Sequence, residues 1–320
     1  MKSEIRSSQP TPAHESSGAL LRAKALPNAM PPVVLVLLAV VSVQVGAAFA
    51  KGLFPALGSL GTVFVRVGFA AIVLLVAWRP RIRRGEGVYT RVDYLSVVLF
   101  GIALAAMNAT FYAALSRIPL GIAVTLEFVG PLAVAVFGSR RPLDLLWAVL
   151  AAVGILLLAP IGQAATIDPI GIAFALTAGG CWAAYILLSA RVGRAFPGGS
   201  GLALSMAIAA VLLAPMGIWQ AGTALLDPQL LFVGAAVAML SSVIPYSLEL
   251  EALRRLPAHV FGVLLSTEPA IAALAGFVIL AEALNWREMV ALALITIAAV
   301  GASRHGMGGH KEGNVENMPG

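Results

Sequence analysis

Arg66, Glu127, Glu249 and Glu268 are the residues of this chain whose chemistry and placement most suggest a task, because each stands inside a long apolar run. A charge at the centre of a bilayer costs about 2.5–3.5 kcal/mol on insertion scales, so such residues are functional candidates by default. Arg66 carries a planar guanidinium fork that matches a carboxylate, which suits it to a substrate acid group or to a glutamate partner. Glu127 is followed by Pro131 and Glu268 by Pro269. A proline inside a helix removes an i→i−4 hydrogen bond and frees a carbonyl. A desolvated carboxylate beside such a break is placed to exchange protons or to contact a substrate. The competing reading is a permanent buried ion pair between Glu127 and Arg66. The residues alone leave both open.

Other residues could line a polar cavity around these. Ser241, Ser242, Pro245 and Tyr246 interrupt an apolar run with hydroxyls and a proline. Broken helices of this kind can border a cavity, and interhelical hydrogen bonding is the alternative. Trp182 and Tyr185, at i and i+3, share one helix face, where they shape a cavity or simply pack. Asn108 matches Tyr246 in the repeat described below. Glu249, Glu251 and Glu282 lie near the ends of apolar runs, which predicts a solvated or snorkelling role. Gly46 and Gly179-Gly180 are expected to serve close helix approach.

Several chemistries are excluded or disfavoured. There is no phosphate-binding Gly-x-x-x-x-Gly-Lys-[Ser/Thr] loop, which argues against ATP-driven pumping by this chain. His-Glu-x-x-His and Gly-x-Ser-x-Gly are likewise absent, so no catalytic residue is assigned. Cys181 is the single cysteine, which rules out an internal disulfide and a cysteine metal cluster. His305 and His310 read as members of a solvated tail. No metal site or cofactor is expected.

The elements that must position these residues follow from composition. Of 320 residues, 60% are hydrophobic and 11% charged, against about 25% charged in an ordinary soluble domain. Mean hydropathy is +0.93. A disordered or nucleic-acid-coating protein is excluded despite the net charge of +6. At about 17–25 residues per crossing, the apolar runs predict ten transmembrane helices. They fall near 33–50, 59–78, 93–115, 120–138, 145–160, 169–190, 200–219, 229–252, 258–280 and 286–303. Continuous apolar stretches such as Val33–Val41 oppose β-strands, which would alternate. The fold class is an all-α integral membrane protein with short connections. Residues 1–32 and 304–320 read as disordered cytoplasmic tails.

The basic residues set the orientation. Seventeen of the 21 Lys and Arg fall in the N-terminal tail and in the segments after the even-numbered spans. Lys51, Arg117 and Arg287 are the three on the other side. This bias predicts both termini in the cytoplasm. The basic balance therefore records topology and implies no anionic partner. Trp78, Trp147, Trp219 and Trp286 fall at span ends, where indoles favour the headgroup region.

The chain also repeats. Ala-Leu-Ser-Arg-Ile-Pro at 114–119 matches Ala-Leu-Arg-Arg-Leu-Pro at 252–257, an offset of 138, and Pro131 matches Pro269 at the same offset. Two halves of five spans result, 33–160 and 169–303. Five is odd, so the halves lie upside down relative to each other. Inverted repeats are characteristic of secondary transporters, which alternate access around a midplane site.

Two halves of five spans resemble tandem EamA domains of the drug/metabolite transporter superfamily. The runs Leu126–Pro131, Ser139–Asp144, Ser241–Glu249, Ala252–Pro257 and Glu268–Leu274 resemble its threonine/homoserine exporter branch. The resemblance implies a multi-pass protein of the bacterial inner membrane that exports small amino acids in exchange for protons. The partners it implies are an amino-acid substrate and the lipid bilayer, with the proton gradient as driving force and no cofactor. A relative acting on another small metabolite or drug is the rival expectation.

Overall fold

The computed structural model describes residues 30–80, 89–115, 117–118, 123, 126–138, 142–158, 168–268, 271 and 286–312. Among them the regular structure is helical throughout. In chain order the helices are α1 (Pro32–Lys51), α2 (Phe54–Trp78), α3 (Arg91–Leu115), α4 (Val129–Gly138) and α5 (Pro142–Leu158), then α6 (Pro169–Ala195), α7 (Ser200–Ala221), α8 (Pro228–Ala238), α9 (Ile244–Leu253), α10 (Ala258–Leu265) and α11 (Trp286–Glu312). The expectations for residues 1–29, for most of the basic loop after the second span, for Ser139–Arg141, for Pro269 and for Glu282 lie outside the described residues.

Five stretches are long and apolar enough to cross a membrane: Phe54–Trp78, Arg91–Ala114, Pro169–Ala195, Ser200–Leu226 and Pro228–Leu253. Shorter apolar helices occupy Pro32–Gly46, Val129–Gly138, Pro142–Leu157 and Met289–Ala302. The outward faces are apolar as well: Phe137, Trp219, Phe232 and Trp286 are largely exposed. A surface of this kind matches lipid tails. At the C-terminal end the structure corrects the sequence reading. α11 runs on to Glu312, so the segment from Arg304, expected to be unstructured, begins as a continuation of the last helix.

Helix starts follow local chemistry. Asp168-Pro169 opens α6 and Asp227-Pro228 opens α8, each aspartate accepting a backbone N–H from the first turn, Ile170 at 2.9 Å and Gln229 at 2.8 Å. Proline at the first position forfeits only a hydrogen bond that has no helical partner. Thr90 and Asp93 form a reciprocal capping box before α3, with Thr90 Oγ1 accepting from the Asp93 amide and Asp93 Oδ2 accepting from the Thr90 amide. Within α2, Gly58 adopts φ +68° and breaks the helical geometry. Gln220 of α7 accepts the Leu60 and Gly61 amides at 2.6 and 3.2 Å, so the break is satisfied across the interface.

The eighth span is the most irregular. Between α8 and α9, residues Met239–Val243 form a π-turn. There the Ile244 amide bonds to Met239 O, five residues back. The next donor in that ladder would be Pro245, which has no N–H. The carbonyl it leaves free, Leu240 O, is taken by the Ser42 hydroxyl of α1 at 2.6 Å. The sequence break at Ser241, Ser242 and Pro245 is thus a structural feature, and α1 completes it. Gly46 makes the approach possible, since a Cβ there would lie 2.7 Å from the Ser241 Cβ.

Helix neighbours complete the frame. α2 packs on α7, α3 on α6, α5 on α11, α1 on α9 and α4 on α10. The largest buried cluster joins α1, α2, α3, α6, α7, α9 and α10 around Phe100, Tyr185, Met206 and Phe261.

Candidate functional site

Within this apolar bundle the buried polar residues include Arg66, Asn108, Glu127, Ser242 and Glu249. Arg66, at the middle of α2, is 8% exposed. Its Nη2 donates to Oδ1 of Asn108 on α3, and its guanidinium lies 5.8 Å from the Tyr112 ring centre. Its Nε is buried with no hydrogen-bond partner. Arg66 makes no ion pair with any described carboxylate. The guanidinium therefore presents an unused donor beside an aromatic face. Asn108 is held for its part by donating to Leu104 O at 2.8 Å, which fixes the amide orientation toward Arg66.

Of the buried carboxylates, Glu127 is the one that interacts electrostatically with Arg66, without forming an ion pair. Glu127 is buried within the fourth span, just before α4, and lies within electrostatic reach of both Arg66 and Glu268. The carbonyl of Glu268 accepts from Gln44 Nε2 of α1 at 3.3 Å. The backbone of Glu127 is fixed by close helix approach: a Cβ at Gly179 of α6 would lie 2.7 Å from Glu127 O. Pro131 sits in the first turn of α4, where its carbonyl faces Gly262 of α10. It starts this short helix rather than interrupting a longer described one.

Glu249 requires a correction. Its place near the end of the eighth span predicted contact with solvent, yet it is 5% exposed and accepts a hydrogen bond from the Tyr185 hydroxyl at 2.5 Å. Helical side chains tilt toward the N-terminus, which carries this carboxylate back into the bundle and against α6. Glu251 faces the other way, half-buried, pairing with Arg254 at 2.9 Å and Arg255 at 2.5 Å.

Aromatic residues lie beside these polar groups. Tyr246 is buried and its ring lies 5.6 Å from that of Tyr185. Two polar contacts result, Arg66 with Asn108 and Tyr185 with Glu249, and the Tyr246 ring lies beside that of Tyr185. Trp182 stands apart from them, edge-on to Phe128 at 5.0 Å, and packs. Ser241 is satisfied by its own helix, donating to Val237 O at 2.6 Å, whereas the Ser242 hydroxyl is buried without a partner. In the second half the helix corresponding to α2, α7, carries no charged residue, and its Ser205 donates to Val97 O at 2.9 Å. The cationic position is therefore not duplicated.

Tyr112 escaped the sequence reading, and Glu249, noticed there, was assigned to solvent. Tyr112 lies four residues after Asn108 and Glu249 three after Tyr246, so helical spacing alone would have put both on the faces already chosen. Among the described residues no cluster of His, Cys, Asp and Glu could hold a metal ion.

A bundle of apolar helices enclosing a buried arginine that pairs with no described carboxylate, together with three acidic residues, defines a multi-pass membrane protein with an internal polar site. The chain matches the EamA-like transporter family over residues 169–304. The threonine/homoserine exporter RhtA of Escherichia coli strain K12 is 43% identical over 274 residues, covering 85% of this chain and 91% of that protein. The exporter of the same name from Salmonella typhimurium strain LT2 gives the same identity and coverage. An uncharacterized transporter of Bacillus subtilis, YwfM, is 27% identical over 210 residues, 63% of this chain and 70% of that protein. A solved crystal structure superposes with a TM-score of 0.69 at 19% identity, covering 86% of this chain and 97% of the other. At that identity the likeness concerns the fold alone. The chain belongs to the EamA-like transporter family, and it is a transporter rather than an enzyme.

Proposed function

We propose that this protein exports small neutral amino acids of the threonine and homoserine kind across the bacterial inner membrane, exchanging them for protons by alternating access. The observation that carries the reading is Arg66, buried with no ion pair among the described residues. A buried guanidinium is not stably left without a counter-charge, and its fork fits an α-carboxylate that arrives with the substrate. Glu127 and Glu268 supply negative charge in the same region for the substrate ammonium and for the returning proton. Asn108, Tyr246 and Ser242 offer amide and hydroxyl groups toward a polar side chain. The 43% identity to named threonine/homoserine exporters supports the choice of substrate class. No cofactor takes part, and the proton gradient drives the cycle.

Helix packing supports the ten-helix inverted repeat. Numbering spans one to five and six to ten, span two packs on seven, four on nine and five on ten, each on its own counterpart. Span three packs on six, and span eight packs on one, which is the same pairing with the halves exchanged. The excess of Lys and Arg on one side supports cytoplasmic termini.

The reading is tested by counterflow with purified protein in proteoliposomes. Threonine and homoserine are expected to give saturable, stereospecific counterflow, while a channel gives none. No response across a panel of amino acids would overturn the substrate class.

A further inference from the structure

The carboxylate that the sequence placed in solvent has the best-defined environment of the three. Glu249 is 5% exposed, and Tyr185, its hydrogen-bond donor, is fully buried. Helix α9 packs against α1, α6, α7, α10 and the π-turn. The groups those elements bring to Glu249 are Tyr185 from α6 and Tyr246 from its own helix. α7 carries no charged residue, and α1 carries Lys51 alone, at its far end. The nearby cations are engaged elsewhere or exposed. Arg254 and Arg255 pair with Glu251, Arg191 and Arg194 are exposed on α6, and His259 of α10 faces Asp144 at 3.7 Å. No described cation pairs with Glu249.

A phenol differs from a cation as a carboxylate partner. A fixed cation would hold the group ionised throughout a cycle. A tyrosine hydroxyl can donate to the carboxylate and accept from the acid, so it serves both forms. Helix α9 packs against α10, whose C-terminal end leads into Glu268, and Glu268 lies within electrostatic reach of Glu249. Of the three carboxylates, Glu249 is nearest the end of its span that the basic residues assign to the cytoplasm.

Building on the proton-exchange reading above, we infer that Glu249, held by the Tyr185 hydroxyl, is the inner station of the proton path, taking the proton from Glu268 and releasing it to the cytoplasm. The proton leaves the Glu268 carboxyl group, which becomes a carboxylate, and forms an O–H bond on Glu249. Transfer to cytoplasmic water returns Glu249 to the carboxylate, which Tyr185 stabilises by donation. No electron moves and no further reactant is consumed. Tyr185 is a positioning residue in this scheme.

The test uses the full chain in proteoliposomes with two readouts: homoserine counterflow without a proton gradient, and homoserine movement against its own gradient driven by an imposed pH difference. Glu249→Gln is expected to keep counterflow while losing the pH-driven movement, and Glu249→Asp to restore part of the drive. Tyr185→Phe is expected to keep the drive but shift its pH profile. Undiminished pH-driven movement in Glu249→Gln overturns the inference. Loss of counterflow together with drive in both Glu249 variants also overturns it, because the residue would then act in substrate binding or folding. If the unaltered protein exchanges no amino acid, the export reading fails first and this inference falls with it.

Discussion

Arg66 of α2 donates a hydrogen bond to Asn108 of α3, the residue that stands opposite Tyr246 when the two halves are superposed by sequence. The contact aims the guanidinium at the interior while its Nε remains without a partner. A neutral amide orients the cation without cancelling its charge. This arrangement leaves the charge available to a ligand, which a salt bridge would not.

Arg66→Lys is expected to weaken substrate binding, because an ammonium keeps the charge but loses the fork. A hydrogen bond to a charged group contributes about 1.5–3 kcal/mol, so apparent affinity should fall by about tenfold or more. The half-saturation concentration for homoserine counterflow, at equal membrane abundance, measures this. Unchanged affinity would rule out bidentate recognition.

Glu127→Gln and Glu268→Gln preserve shape while removing a titratable oxygen. At least one of them is expected to abolish proton-driven flux at equal abundance in the membrane. Undiminished drive in both variants would remove these carboxylates from the coupling machinery.

The neighbouring glycines of α6 separate packing from composition. A Cβ at Gly179 would lie 2.7 Å from Glu127 O, whereas at Gly180 it meets nothing within 4 Å. Gly179→Ala should destabilise the protein by about 1–3 kcal/mol through overpacking and displace Glu127. Gly180→Ala should behave as the unaltered protein. Thermal midpoints in detergent, together with counterflow rates, decide the matter. Equal behaviour of the two variants would contradict the close contact between α4 and α6.

On the opposite side from the basic loops, Asp168 pairs with Arg117 at 2.9 Å. The hydrogen bond from Arg117, followed by that from the Ile170 amide, holds its carboxyl below the ordinary value of 3.8. A depressed pKa adds stability above the unfolded value and loses it as pH falls through the folded one. The advantage of the unaltered protein over Asp168→Asn should therefore be fully present above pH 3.8 and disappear at lower pH. Thermal midpoints of both proteins across that range provide the check. An advantage that vanished near neutrality would mean the pair is not formed.

Charge scarcity made much of the site legible in sequence. In runs so apolar, Arg66, Glu127 and Glu268 stand out because each must be compensated, and the structure brings all three into one electrostatic neighbourhood. The break in the eighth span was legible for a similar reason, since Pro245 has to disturb its helix. Glu249 was misread because distance along the chain from a span end says nothing about which way a side chain tilts. Tyr112 was missed because an aromatic residue in an apolar helix carries no signal until its helix face is considered. Ser42 was invisible for a different reason: its role depends on a carbonyl freed about two hundred residues away, a relation fixed only by packing.

Inhibition of homoserine counterflow by carboxyl-modified analogues tests the central claim most directly, that Arg66 reads the carboxylate of a zwitterion. L-homoserine should compete fully, and an analogue with its carboxylate converted to a neutral amide should compete about tenfold less well or worse. Equal competition by the amide and the acid would contradict the account.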